Sequence, residues 1–207
     1  TEFTRRAFMK TASAAGVGLV LTFYLDGCAP AASGPLVMAE PNAWLRIGSD
    51  ESILVIVDRS EMGQGVATAL PMLLAEELEA DWSKIRIEFA PAGAAYVNPL
   101  FGFQGTGGSS SIRAAFTPLR EAGAAAREML IAAAAKEWEV DAASCHASKG
   151  MVIHDGSRRR ASFGSLVNTA MTMPVPEKVP LKDPADWKIL GTRVARLDTP
   201  VKVDGSA

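Results

Sequence analysis

The chain has 207 residues, 48% of them hydrophobic and 21% charged, with a net charge of −2. That is enough for one domain with a real core, or for one lobe of something larger, and the charge balance gives no basic footprint for nucleic acid. The only cysteines, Cys28 and Cys145, lie far apart, which excludes an iron–sulfur cluster or a structural zinc site built from this chain, since each usually takes about four ligands.

Residues 1–28 read as a twin-arginine signal or a membrane anchor. Thr4-Arg5-Arg6-Ala7-Phe8-Met9-Lys10 carries the arginine pair, and an apolar run follows from Thr11 to Leu25. That run is marginal against the about 20 apolar residues that a bilayer-spanning helix needs. Leu25-Asp26-Gly27-Cys28 is similar to a lipoprotein cleavage site with Cys28 as the acylated residue, although Asp26 is unusual there. Lipidation at Cys28, an uncleaved anchor and cleavage further on stay open. Each places the chain in the periplasm, free or attached to the inner membrane. Residues 29–42, rich in Pro, Ala, Gly and Ser, read as a linker.

The folded part opens with strands over 43–47 and 52–57, joined by the hairpin signal Gly48-Ser49-Asp50-Glu51. The second strand, Ile53-Leu54-Val55-Ile56-Val57, is apolar on both faces and so expected to be central. After it comes the polar loop Ser60-Glu61-Met62-Gly63-Gln64-Gly65. Its glycines allow sharp bends and close approach to a ligand, and Gln64 offers donors and an acceptor. Asp58, Arg59 and Glu61 read more simply as mutual surface ion pairs than as substrate contacts, and Met62 more simply as loop packing than as a cofactor contact.

A helix is expected over 68–80, with Thr68 as cap and Pro71 confined to the first turn. Leu70, Leu73, Leu74 and Leu78 form its buried stripe, and Glu76, Glu77 and Glu79 its wet face. Ile85, Ile87 and Phe89 alternate with Lys84, Arg86 and Glu88, the period of a one-sided strand returning beside the hairpin. The long loop Pro91 to Gln104 carries Tyr96, Phe101 and Phe103, which either cover the core or line a substrate funnel.

Gly105-Thr106-Gly107-Gly108-Ser109-Ser110-Ser111 then opens a second helix. Glycine backbone that lets N–H groups converge, serine hydroxyls and a helix N-terminus together suit a phosphate or diphosphate. The dinucleotide fingerprint fails here for want of a preceding strand, and a P-loop fails for want of Gly-Lys-Ser/Thr. The helix is expected over 112–138 with a kink or restart at Thr117-Pro118 and a slim Ala/Gly face, including Gly123, for packing on a sheet. Arg113 and Arg120 read as exposed ion-pairing groups before cofactor or subunit contacts. Further on come a strand at Met151-Val152-Ile153, a turn at Asp155-Gly156, a helix capped by Ser162 through Ala170, and an extended strap from Pro174 to Pro184. His146 and His154 are lone histidines, read as packing residues, and Arg158-Arg159-Arg160 as an exposed basic run.

Strand, Glu61-Met62-Gly63-Gln64-Gly65, helix, then Thr106-Gly107-Gly108-Ser109-Ser110-Ser111 before a long Ala-rich helix, resembles part of the molybdenum-binding domain of the xanthine oxidase family. The nearest likeness is to the large subunits of isoquinoline 1-oxidoreductase and of membrane-bound aldehyde dehydrogenases, over about Trp44 to Ala207, including Arg196-Leu197-Asp198-Thr199-Pro200-Val201-Lys202-Val203-Asp204-Gly205. The resemblance implies an α+β fold, a small sheet with a strand hairpin packed by two or three helices. Residues 43–172 would form part of a molybdopterin-binding domain and 173–207 a strap leading to a further domain.

It implies hydroxylation of aldehydes or aromatic N-heterocycles with oxygen from water, at molybdenum held by a pyranopterin, typically as molybdopterin cytosine dinucleotide. Met62, Gly63, Gln64, Gly65 and Thr106, Gly107, Gly108, Ser109, Ser110, Ser111 would be the cofactor-binding residues. No metal ligand is expected from the protein. The general-base glutamate of the family's Gly-Val-Gly-Glu motif is expected outside this chain, so the chain alone would be inactive. Implied partners are the remaining large-subunit domains, a 2Fe–2S subunit and, in some assemblies, a cytochrome c subunit. Twin-arginine export of folded proteins suits a cofactor inserted beforehand. The alternative from another class is a non-catalytic exported module whose loops bind an anionic ligand or a partner protein.

Overall fold

The computed structural model describes residues 44–206 and, as backbone, Gly18–Leu21. The twin-arginine motif, Cys28 and the linker lie outside the described residues. Gly18–Leu21, inside the apolar run, is a strand (β1) paired antiparallel with β2 (Leu45–Gly48). β2 pairs antiparallel with β3 (Ile53–Val57) through the expected hairpin, and β3 pairs in parallel with β4 (Ile85–Phe89). The order β1-β2-β3-β4 makes β3 internal and β4 an edge strand. Ile53, Val55 and Val57 are buried while Leu54 and Ile56 are half-buried, so only one face of the sheet is fully covered.

A parallel pair needs a crossover, and α1 (Val66–Leu78) supplies it. Its leucine stripe is buried as expected. The helix starts two residues before Thr68, which leaves Pro71 in the second turn, where it removes a single intrahelical bond. Thr68 is not the cap: its hydroxyl oxygen accepts from Leu197 N–H at 3.0 Å. α2 (Ser110–Trp138) runs unbroken through Pro118, because the carbonyl freed at Ala114 sits on a half-exposed face that water reaches. It packs chiefly against α1 and also meets the second sheet described below. A methyl group at Gly123 would lie 2.3 Å from the carbonyl oxygen of Leu74, so glycine is what permits the approach of the two helices.

Two of the acids expected on the wet face of α1 are buried instead. Glu76 and Glu77 are 1% and 0% exposed. Glu77 meets Arg120 at 2.7 Å and Arg127 at 3.5 Å and accepts from Lys182 N–H at 3.0 Å. Glu76 accepts from the N–H groups of Lys188, Ile189 and Leu190 at 3.0, 2.6 and 3.0 Å, and pairs with the Lys182 ammonium. Burial works against its charge, but Lys182 and the strap's N–H groups prevail and hold its carboxyl below the ordinary value. These carboxylates replace, for the strap, the hydrogen bonds a sheet would give it. Arg120, expected to be exposed, is buried between the rings of Phe116 and Trp187, 5.2 and 5.4 Å from their centroids.

β5 (Cys145–Ser148), β6 (Met151–His154) and β7 (Arg159–Ser162) make a second, antiparallel sheet. α3 (Phe163–Ala170), capped by the Ser162 hydroxyl as expected, docks on β1 and β2. A short α4 (Thr199–Val203) follows the strap. Among the described residues no helix is long and apolar enough to cross a membrane.

Candidate functional site

The first loop braces itself. Glu61 turns back so that Oε1 accepts from the N–H groups of Gly63 and Gly65 at 2.8 and 2.9 Å, and Oε2 from Ala67 at 2.9 Å. It thereby caps α1, whose formal cap Gly65 has no side chain to do so. Gly63 and Gly65 have φ of 100° and 87°, a region that other residues enter only with strain. Gln64 closes the turn: its Oε1 accepts from Met62 N–H at 2.5 Å and its Nε2 donates to the Ser60 carbonyl at 2.8 Å. Burial opposes the Glu61 charge, yet the three N–H groups and Arg196 hold its carboxyl below the ordinary value. Met62 is 67% exposed, which corrects the packing reading.

The second loop is braced from beneath and open above. Asn98, fully buried, donates from Nδ2 to Ser110 Oγ at 2.8 Å and accepts from Leu100 N–H at 3.1 Å. Ser110 Oγ donates to the Gly107 carbonyl at 2.7 Å. Ser110 is thus committed inside the protein, and Asn98, read from sequence only as a turn marker, is the residue that fixes the loop. Gly108 and Ser109 follow with φ of 55° and 53°. The N–H groups of Gly107, Gly108 and Ser109 donate to no acceptor among the described residues, and nothing lies within 4 Å of a side-chain position at Gly107. They stand at the positive end of a 29-residue helix.

The two loops meet. Ser60 N–H donates to Thr106 Oγ1 at 2.9 Å, a bond between residues 46 apart in the chain. Beside this junction lies a cleft of about 440 Å³ at the C-terminal ends of β3 and β4, bounded by Arg59, Phe89, Gln104 and Lys202. Ligands of α/β folds collect at such strand ends. Asp58 and Arg59 pair with each other as expected, but at 6% and 3% exposure the pair is buried at the edge of the cleft and not on the surface. Among the described residues Asp58 Oδ1 and Arg59 Nε have no hydrogen-bond partner. Burial pushes the Asp58 carboxyl above its ordinary value despite Arg59. Of the aromatic residues in the long loop, Tyr96 is buried against Trp44, whereas Phe101 and Phe103 stack on each other at 5.4 Å in the open.

The family model described as molybdopterin cofactor-binding domain matches residues 2–201. The chain belongs to this family. It is 33% identical over its whole length to isoquinoline 1-oxidoreductase subunit beta of Brevundimonas diminuta and covers 31% of that protein. It is 32% identical, again over its whole length, to the membrane-bound aldehyde dehydrogenase of Gluconacetobacter polyoxogenes, whose name carries pyrroloquinoline-quinone, and covers 27% of it. The chain therefore spans about a third or less of these relatives. A solved CO dehydrogenase from Oligotropha carboxidovorans aligns with a TM-score of 0.47 at 22% identity, covering 59% of this chain and 15% of that one.

The residues of the molybdopterin-binding domain fit such a cofactor, on the evidence of the second loop. Three unused N–H groups at a helix N-terminus suit phosphate oxygens, and the adjacent open space admits them. The first loop offers less backbone than its sequence suggests, because Glu61 takes the N–H groups of Gly63 and Gly65. What it presents is the exposed Gln64 amide, with one Nε2 hydrogen and an Oε1 lone pair to spare, and exposed Met62. Among the described residues no group of three or more His, Cys, Asp or Glu could hold a metal ion.

Proposed function

We propose that this chain holds the cofactor in a molybdenum oxidoreductase that hydroxylates aldehydes or aromatic N-heterocycles with oxygen from water and passes electrons to an iron–sulfur subunit. The observation that carries this reading is the Ser60 to Thr106 bond, which joins an amide-bearing loop to an open anion nest. When bound, the molybdenum centre supplies the redox chemistry. The chain's own residues bind and orient it. Gly107, Gly108 and Ser109 would hold the phosphates through their N–H groups, with the Ser109 and Ser111 hydroxyls to assist, and Thr106 ties this loop to the other. Gln64, through its amide, and Met62 would contact the pterin from the first loop.

Glu61 does not serve as the general base, since both its oxygens are engaged in bracing the loop. The base and most of the substrate pocket would come from the remaining large-subunit domains, and the electron-transfer centres from the iron–sulfur subunit. The cytosine dinucleotide form of the cofactor and a periplasmic location, free or at the inner membrane, complete the proposal; they rest on the family resemblance and on the arginine pair at Arg5 and Arg6. One relative's name favours a second reading, an organic quinone in place of the pterin. Metal and nucleotide analysis of the subunit purified from its host separates the two. Molybdenum with releasable cytosine nucleotide supports the proposal, and a matured subunit without molybdenum overturns it.

A further inference from the structure

The strap ends on the first loop. Arg196 Nη1 donates to the carbonyl oxygen of Gly63 at 3.1 Å, 133 residues earlier in the chain, and Nη2 donates to Glu61 Oε1 at 3.0 Å. The other edge of the guanidinium forks onto Asp198, with Nε to Oδ1 at 2.9 Å and Nη2 to Oδ2 at 2.8 Å. Lys202 closes on the same carboxylate at 2.5 Å, and the neighbouring Leu197 N–H is tied to Thr68. A planar guanidinium held by Asp198 on one edge has its remaining donors fixed in direction, which a flexible ammonium would not.

Glu61 is the residue on which the loop turns, and its Oε1 carries two backbone N–H groups as well as Arg196. We propose that Arg196 is a positioning residue for the cofactor loop: it sets the Glu61 carboxylate and the Gly63 peptide, and through them the presentation of Gln64. The loop-setting role stands on this geometry alone. The consequence for the cofactor rests on the function proposed above.

The test is hydrogen exchange over residues 61–68, with molybdenum and pterin content, on the subunit as its host makes it. Wild type is compared with Arg196→Ala, Arg196→Lys and a control, Arg193→Ala, an exposed strap residue. In Arg196→Ala the amides of Gly63, Gly65 and Ala67 exchange about tenfold faster or more, while those of β5 to β7 do not change. Cofactor content falls in step. Arg196→Lys, which keeps the charge and loses the fork, lies between, and Arg193→Ala matches wild type. Unchanged exchange of the three amides, or faster exchange spread equally over β5 to β7, overturns the proposal. Wild type without pterin removes the functional reading, yet the exchange comparison still decides the role of Arg196.

Discussion

The two loops reach a fixed shape by different means. In the first, a carboxylate, Glu61, accepts from the loop's own N–H groups and is clamped in turn by Arg196. In the second, neutral groups, Asn98 and Ser110, do the bracing from below, and the N–H groups above stay unused. A loop that satisfies itself is preorganised but has little backbone left to offer an anion. A loop braced from outside its own turn keeps its donors for a ligand. The two glycine-rich stretches, alike in composition, therefore do different work: Gln64 and Met62 present side chains, while Gly107 to Ser109 present backbone.

The largest expected effect comes from the far end of the first loop's support. Glu77→Ala leaves Arg120 and Arg127 beside an empty, fully buried position and is expected to lower unfolding free energy by about 3–5 kcal/mol. Chemical denaturation measures it, and exchange should show the strap and first loop loosened while the second loop stays protected. Next, Glu61→Ala unpairs three N–H groups and is expected to cost about 2–3 kcal/mol, against about 1–2 kcal/mol for Asn98→Ala. The first should loosen residues 61–67 and the second residues 98–110. If either variant loosened both loops equally, the division between them would be lost.

Acid should separate the loops as well. The Glu61 carboxyl is held below its ordinary value of 4.5 in the folded chain, so its contribution is complete above that pH and fades as pH falls through the lowered folded value. Asp198, lowered further by Arg196 and Lys202, follows at still lower pH. The second loop has no titrating group in its brace. As pH falls below 4.5, protection of Gly63, Gly65 and Ala67, taken relative to the intrinsic exchange rate at each pH, should therefore fall before that of Leu100 changes. Simultaneous loosening would contradict the carboxylate brace.

Much of the fold was legible because its signals are local. The Gly48 to Glu51 hairpin, the strand Ile85 to Phe89 and the Ser162 cap each lie within a few residues and each appears where expected, although the strand's alternation fails at Phe89, which is 52% exposed. The sequence missed what depends on distant partners. Glu76 and Glu77 sit where a wet helical face would be, and only the return of the strap, 105 residues later, buries them. Arg120 and the Asp58 to Arg59 pair were misread for the same reason, since a charge run carries no sign of what will cover it. β5 and β7 escaped because Cys-His-Ala-Ser and Arg-Arg-Ala-Ser lack the β-branched and aromatic residues that mark strands. For the site, both loops could be picked out by their glycines, whereas the capture of the Gly63 and Gly65 N–H groups by Glu61 could not, because it needs the geometry of the turn.

The proposed function rests on the unused N–H groups of Gly107, Gly108 and Ser109, which would hold the phosphate end of the cofactor while Gln64 contacts its pterin. Gly107→Asp places a carboxylate beside those donors in open space and should change stability by less than about 0.5 kcal/mol. Molybdenum and pterin should be present in the wild-type subunit purified from its host and largely absent from this variant at equal melting temperature. A variant that retained its full complement of both would show that the phosphates are held elsewhere.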